Sequence, residues 1–274
     1  MNNKYMIYMK AEKRSQNTIR AYVTDIDACL SFINKPENEI IYSDLIEWKA
    51  SMVDSLSSAT VARKIASVKN YFKQLKKMDE IKIDPSVELE SNKIRNKEKV
   101  PLNPSEIRAM IDCADKLRSK AIITMLASTG MRISELINLT IEEYNKNPIT
   151  IIGKGNKKRN IYLTLETRNT VNQYLETRPD SQYDNVFLSN GAHPLQANNV
   201  SLMLKNTAYK AGIENWNEIS NHWLRTSAAT MQSEAGQPIE VIQEMLGHSS
   251  ITTTRRYVKV SHKHLENAMT TQLF

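Results

Sequence analysis

Cysteine is nearly absent from this 274-residue chain, which holds only Cys29 and Cys113. With no second Cys or His at ligand spacing around either, neither a disulfide framework nor a zinc site is expected. Both read as buried small hydrophobes. Seven glycines and eight prolines are too few for a low-complexity or fibrous chain, and no internal repeat is visible. No apolar run approaches the ~20 residues of a membrane helix. The start, "MNNKYMIYMKAEKRSQ", lacks an uninterrupted apolar stretch before a small-residue cleavage site. A cytoplasmic chain with no membrane partner is therefore expected. Nor is there a basic or acidic tail: eighteen basic residues stand against fourteen acidic up to residue 100, and nineteen against sixteen after it. The net charge of +7 favours a polyanionic partner. If that partner is nucleic acid, both halves are expected to touch it.

What is present is helical periodicity in two blocks. The 41% hydrophobic content supports a substantial core, and the length suits two domains better than one. "SQNTIRAYVTDIDACLSFI" offers Ser15 as an N-cap and places Ile19, Tyr22, Val23, Ile26, Leu30 and Ile33 on one face. "YSDLIEWKASMVDSL" and "SSATVARKIASVKNYFKQLKKM" repeat the pattern, the latter with Arg63, Lys64, Lys69, Lys73, Lys76 and Lys77 on its other faces. A basic helix face of this kind is either solvated or laid along phosphates. Three or four helices thus fill residues 1–92. A polar stretch, 93–102, reads as a linker into a helix capped near Asn103 or Ser105. Residues 103–274 form the second domain. It is helical except for "PITIIGKGNKKRNIYLTL", whose two β-branched runs flank a Gly-Lys-Gly-Asn turn and predict a hairpin. The class is mainly α with one small β-sheet.

Five short stretches in the second domain carry residues with chemistry. "STGMRISEL" sets Arg132 at a helix start with Glu135 three residues on, able to brace it. "IIGKGNKKR" puts Lys154 at the hairpin tip. "SNHWLRTSAAT" presents His222 and Arg225 at i and i+3 on one helical face. "LGHSS" supplies His248 between two helices, and "TTRRYVKV" supplies Tyr257. Each has a plain reading: a surface ion pair, a solvated loop, a chance pair, a helix cap and a half-buried tyrosine. The ordered set Arg, Lys, His-x-x-Arg, His, Tyr does not.

That set resembles the signature of the tyrosine recombinases, the phage integrase family, and most closely its compact Xer-type members. The resemblance covers nearly the whole chain and is specific in "TGMRISEL", "IIGKGNKKR", "HWLR" and "LGHSSITTTRRY". One departure is visible: many relatives follow the second arginine with histidine, where Thr226 stands here. The resemblance implies a helical SAM-like core-binding domain and a tyrosine-recombinase catalytic domain, closing as a C-shaped clamp around DNA. It implies site-specific recombination through a 3′-phosphotyrosine and a Holliday junction, with relaxation of the type IB topoisomerase kind as the alternative.

The chemistry fits those residue types. Attack on a phosphodiester gathers charge on the non-bridging oxygens, which two guanidinium forks match, so Arg132 and Arg225 are the expected clamp. Tyr257 is the expected nucleophile, since its aryl phosphate ester keeps the bond energy for a later 5′-hydroxyl. Lys154, or Lys157 in the same turn, is expected to protonate the departing oxygen. His222 is expected to handle the tyrosine proton and His248 to bond a non-bridging oxygen, with Glu135 supporting. No metal or other cofactor is implied, because these cations already neutralise the charge. The expected partners are double-stranded DNA with paired inverted half-sites and a homo-tetramer, or a hetero-tetramer with a paralogue, on two such sites. The apolar face of about 261–274 reads as a helix exchanged between subunits. Predicted helices start so near residue 1 that no additional arm-binding module is expected.

Overall fold

A computed structural model describes residues 3–91, 100–152 and 158–257. The chain divides into two compact units, Met1–Glu98 and Lys99–Phe274.

In the first unit four helices surround one core: α1 (Asn3–Ala11), α2 (Gln16–Ile33), α3 (Tyr42–Val53) and α4 (Ser58–Lys77). Ser15 caps α2, its hydroxyl accepting from the Thr18 amide, and Ser57 does the same for α4 through Thr60. The apolar stripe of α4, from Val61 through Ile65, Val68, Tyr71, Phe72 and Leu75, is buried, and α1 adds Tyr5 and Met9 one turn apart. Tyr5 meets Tyr71 edge-on at 4.9 Å and donates to Asn70 at 2.7 Å. The basic side of α4 is tied down in three places. Arg63 and Lys64 both pair with the buried Asp25 of α2, to which Ser67 also donates. Lys69 donates to the carbonyls of Val87 and Leu89.

The second unit is built on α6 (Leu117–Thr129), whose residues are buried on nearly every side. Around it lie α5 (Pro104–Asp112), α9 (Leu165–Glu176), α10 (Ala197–Lys210) and α11 (Asn221–Glu234). Asn103 caps α5, and Glu106 reaches back to the Asn103 amide in a full capping box. α5 stops at Asp112, with Cys113 as its C-cap. The two-residue gap before α7 (Ile133–Asn138) holds Met131 and Arg132 just beyond the α6 cap. A one-turn helix, α8 (Ile141–Tyr144), leads to the antiparallel pair β1 (Ile149–Ile152) and β2 (Lys158–Ile161). The predicted hairpin register runs from Ile149 opposite Ile161 to Ile152 opposite Lys158. Its connection, with Lys154 and Lys157, lies outside the described residues, as do much of the expected linker and the expected exchange helix. α12 (Ile239–Leu246) and α13 (Ile251–Arg255) complete the unit, with Ala229, Ile242 and Leu246 forming a small separate core. Among the described residues no helix is long and apolar enough to cross a membrane.

One expectation fails in this unit. Cys29 is buried, and burial pushes its thiol up to about 12, but Cys113 is only partly covered. It sits at the C-cap of α5, where a helix ends at the surface, and its thiol faces the Lys210 carbonyl at 3.7 Å.

Candidate active site

The site is organised by the end of one helix. The last turn of any α-helix leaves carbonyls without an intrahelical partner. At the end of α12, Gly247 adopts φ +63°, the left-handed conformation that glycine tolerates best. Its amide donates to the Glu244 carbonyl at 3.0 Å, and the His248 amide donates to Gln243 at 3.1 Å, completing a Schellman motif. Three successive carbonyls remain, and each takes a guanidinium from a different element. Arg159 of β2 donates Nε–H to the Met245 carbonyl at 3.2 Å. Arg225 of α11 donates from Nη2 to Leu246 at 2.5 Å. Arg132, before α7, donates from Nη2 to Gly247 at 3.2 Å. The negative end of the helix dipole favours all three cations.

A second glycine cap supports the arrangement. α6 ends at Gly130, φ +60°, whose carbonyl accepts Nη1 of Arg225 at 2.5 Å. A Cβ there would come within 2.9 Å of the Leu246 side chain and 3.4 Å of Ala228, so the close approach of α12 also requires glycine. Arg225 is thus only 4% exposed yet pinned at both ends by backbone carbonyls. Burial, with Arg132 and Arg159 nearby, draws it down to about 10, which leaves it charged at neutral pH.

Among the described residues, Glu135 is the one carboxylate bonded to these cations. Its Oε1 accepts from Arg132 Nη1 at 2.9 Å and Arg159 Nη1 at 2.8 Å. Its Oε2 accepts from the Arg132 amide at 2.7 Å and Arg159 Nη2 at 2.6 Å. Burial alone raises its pKa, but the hydrogen bonds from Arg159 and Arg132 outweigh that and hold it near 2. It is ionised at neutral pH.

His248 follows the cap. Its Nδ1 lies 3.0 Å from the Thr254 hydroxyl, and its ring stacks on Tyr257 at 6.0 Å between centroids. Burial first, then Arg225, Arg132 and His222, lower it to about 4, so the ring is neutral at physiological pH. Tyr257 is half-buried against the small core of α11 and α12. His222 is exposed on the first turn of α11, one turn from Arg225, and the Thr226 hydroxyl donates to its carbonyl at 2.9 Å. α11 is itself anchored by Trp223, which donates to the Val100 carbonyl at 2.7 Å, and by Ser227, which accepts from the Leu102 amide at 2.8 Å.

The structure therefore gathers Arg132, Glu135, Arg225, His248 and Tyr257, with His222 at the edge, from positions up to 125 residues apart in sequence. A phage integrase family model matches residues 101–264, and a phage integrase N-terminal SAM-like domain model matches residues 3–78. The chain belongs to the phage integrase family. This tyrosine recombinase is 32% identical to the tyrosine recombinase XerC of Caldanaerobacter subterraneus subsp. tengcongensis, over 96% of this chain and 83% of that one. It is 30% identical to XerD of Listeria monocytogenes serotype 4b, over 92% and 91% of the two chains. Its fold matches a lambda integrase (75–356) dimer bound to a COC′ core site with a TM-score of 0.79 at 16% identity, covering 95% of each chain. The relatives are named recombinases, and nothing here favours a relaxing topoisomerase.

Sequence reasoning missed two residues of the site. Arg159 is one of four basic residues in "GKGNKKR", where a solvated turn is the plain reading. The signal was present, since strand alternation sets Arg159 in phase with Ile161 and opposite Ile151, on the inward face. Thr254 had no comparable signal, because only the fold shows that its hydroxyl turns toward His248.

Proposed function

We propose that this recombinase cleaves and rejoins double-stranded DNA with Tyr257 as nucleophile and Arg132 and Arg225 as the phosphate clamp. The observation that carries this assignment is the set of guanidiniums held by backbone carbonyls at the end of α12, beside His248 and Tyr257. A guanidinium has five N–H donors, so two carbonyl bonds leave Arg225 with donors for an anion and without a carboxylate to cancel its charge. An anion with two non-bridging oxygens is what such a fork binds best.

In the cleavage step the Tyr257 oxygen bonds to phosphorus and the bond from phosphorus to the 5′-oxygen breaks. The phenolic proton passes to His222, and the departing oxygen takes a proton from Lys154, or from Lys157 on the same connection. His248, neutral, donates its one N–H to a non-bridging oxygen while Thr254 holds the other ring nitrogen. Rejoining runs the step backward with the 5′-hydroxyl of another strand, and no external energy is needed because the ester conserves it. The substrate is a pair of sites, each built of two inverted half-sites, bridged by four subunits of this chain or of this chain and a paralogue. The apolar face within 261–274 is the element exchanged between neighbours.

The test is a nicked substrate that traps covalent adduct, with its sequence taken from DNA recovered bound to the wild-type protein. Tyr257→Phe keeps the ring packing and removes the hydroxyl, so adduct should vanish while DNA binding stays. Persistent adduct would remove Tyr257 from the mechanism. On a plasmid with two recovered sites, deletion or inversion products are expected; relaxed topoisomers alone would overturn recombination.

A further inference from the structure

Of the three arginines at the end of α12, Arg159 is the one with a described hydrogen bond on every guanidinium nitrogen. It is 5% exposed, and all three of its nitrogens donate to protein acceptors: Nε to the Met245 carbonyl, Nη1 and Nη2 to the two oxygens of Glu135. Its burial matches that of Arg225, but the bidentate Glu135 carboxylate already neutralises its charge and engages both of its terminal nitrogens, which makes it the poorer ligand for a DNA phosphate. Its backbone lies in β2, directly after the connection that carries Lys154 and Lys157. Its side chain runs under Gly247, where a Cβ would sit 2.9 Å from the Arg159 Cδ. Arg159 thus touches three separate parts of the site: the hairpin, the carboxylate that orients Arg132, and the cap that presents His248.

We propose that Arg159 is a positioning residue for strand cleavage, acting through Glu135 and the α12 cap to hold Arg132 and His248 in place without contacting DNA. The bidentate fork fixes the plane of the Glu135 carboxylate, and that carboxylate in turn holds both the amide and the guanidinium of Arg132. Without the fork a buried carboxylate would face burial with one cation fewer. The charged groups facing Glu135 are Arg132 from its own turn, Arg159 from β2 and Arg225 from α11; the same three arginines, with His222, also bear on His248. Loss of Arg159 therefore lets Glu135 take a proton at a higher pH, which releases Arg132. The inference rests on the roles proposed above for Arg132 and Tyr257.

The experiment uses the full chain in three variants, Arg159→Lys, Arg159→Met and the double Arg159→Met/Glu135→Gln, on the nicked substrate defined from recovered DNA. Arg159→Lys keeps a charge and loses the planar fork. The expected result is cleavage slowed about 10- to 100-fold at saturating DNA with affinity within about two-fold of wild type. In Arg159→Met the acid limb of the cleavage rate should move to higher pH. Carbon-13 titration of Glu135, which needs no DNA, should show its carboxyl rising from near 2 toward or past an ordinary glutamate value. The double variant should cleave no more slowly than Arg159→Met, because both changes cut the same link. Cleavage within about three-fold of wild type in Arg159→Lys would overturn the proposal, as would a loss confined to affinity, an unmoved Glu135 titration, or losses that multiply in the double variant. If Arg159→Met does not fold, the rate and affinity of Arg159→Lys decide alone. Failure of the mechanism itself shows separately, as adduct formed by Tyr257→Phe.

Discussion

Each unit buries one carboxylate between two cations, and the two clusters are built for different ends. In the first, Asp25 takes Arg63, Lys64 and the Ser67 hydroxyl, and the arrangement joins α2 to α4. Arg63 remains 47% exposed, so its excess charge lies in water. In the second, Glu135 serves Arg132 and Arg159 while Arg225, equally buried, has carbonyls in place of a carboxylate. A carboxylate cancels a cation's charge; a carbonyl dipole steadies it and leaves the charge in place. The first cluster therefore sheds its excess charge into water, and the second keeps a positive excess in a place of low dielectric, the setting in which a phosphate is proposed to bind.

Breaking the second cluster at Arg225 should give the largest effect. Arg225→Lys retains charge but cannot reach the Gly130 carbonyl, the Leu246 carbonyl and a phosphate oxygen together. Single-turnover cleavage should fall roughly 10²- to 10³-fold, the usual loss for one preorganised donor to a developing oxyanion. Near-normal cleavage would make Arg225 a structural residue only.

The matching break in the first cluster is Asp25→Asn, which leaves Lys64 and half-exposed Arg63 facing a neutral amide. It should cost about 2 kcal/mol in urea unfolding, below the range for a fully buried pair because Arg63 can turn to solvent. Cleavage at saturating DNA should hardly change. If Asp25→Asn instead slowed cleavage as much as Arg225→Lys, the distinction between the two clusters would fail.

Thr254→Val sharpens the comparison further, since it removes a hydroxyl and no charge. His248 loses the partner that selects which ring nitrogen carries the proton. A fall in cleavage of about ten-fold is expected, with thermal stability little altered; an unchanged rate would mean that the tautomer is fixed by something other than Thr254.

The smallest effect is on the pH dependence of stability. The folded pKa of His248, about 4, lies below the ordinary 6.5, so the unfolded chain binds this proton more readily. Its contribution is present above 6.5 and is lost as the pH falls toward 4. Glu135, held near 2 against 4.5, contributes above 4.5 and loses it only as the pH falls toward 2. Between pH 6.5 and 4.5 the melting temperature should thus drop less steeply in His248→Gln than in wild type. Equal slopes would show that His248 titrates normally.

Much of this could be read in the sequence. The stripe of α4, the Ser15 and Asn103 caps and the β-branched runs around the hairpin all depend on neighbours within a few residues, and short-range sterics and hydrogen bonds fix such features. α1 was less legible: its two buried residues, Tyr5 and Met9, form too short a stripe to show as a pattern. Cys113 misled because residue type predicts burial only on average, and its place at a helix end decided otherwise.

By itself the sequence determined the helical class, the hairpin, and the identity and order of the candidate site residues from Arg132 to Tyr257. The class and the hairpin follow from local periodicity, and the residue set from the resemblance of its ordered motifs to those of the family. Only the tertiary structure decided that three guanidiniums from β2, α11 and the start of α7 meet three successive carbonyls at the end of α12. The reason is physical: a buried donor must find an acceptor somewhere, but which carbonyl lies within about 3 Å of it depends on how distant helices pack. No local pattern encodes that distance.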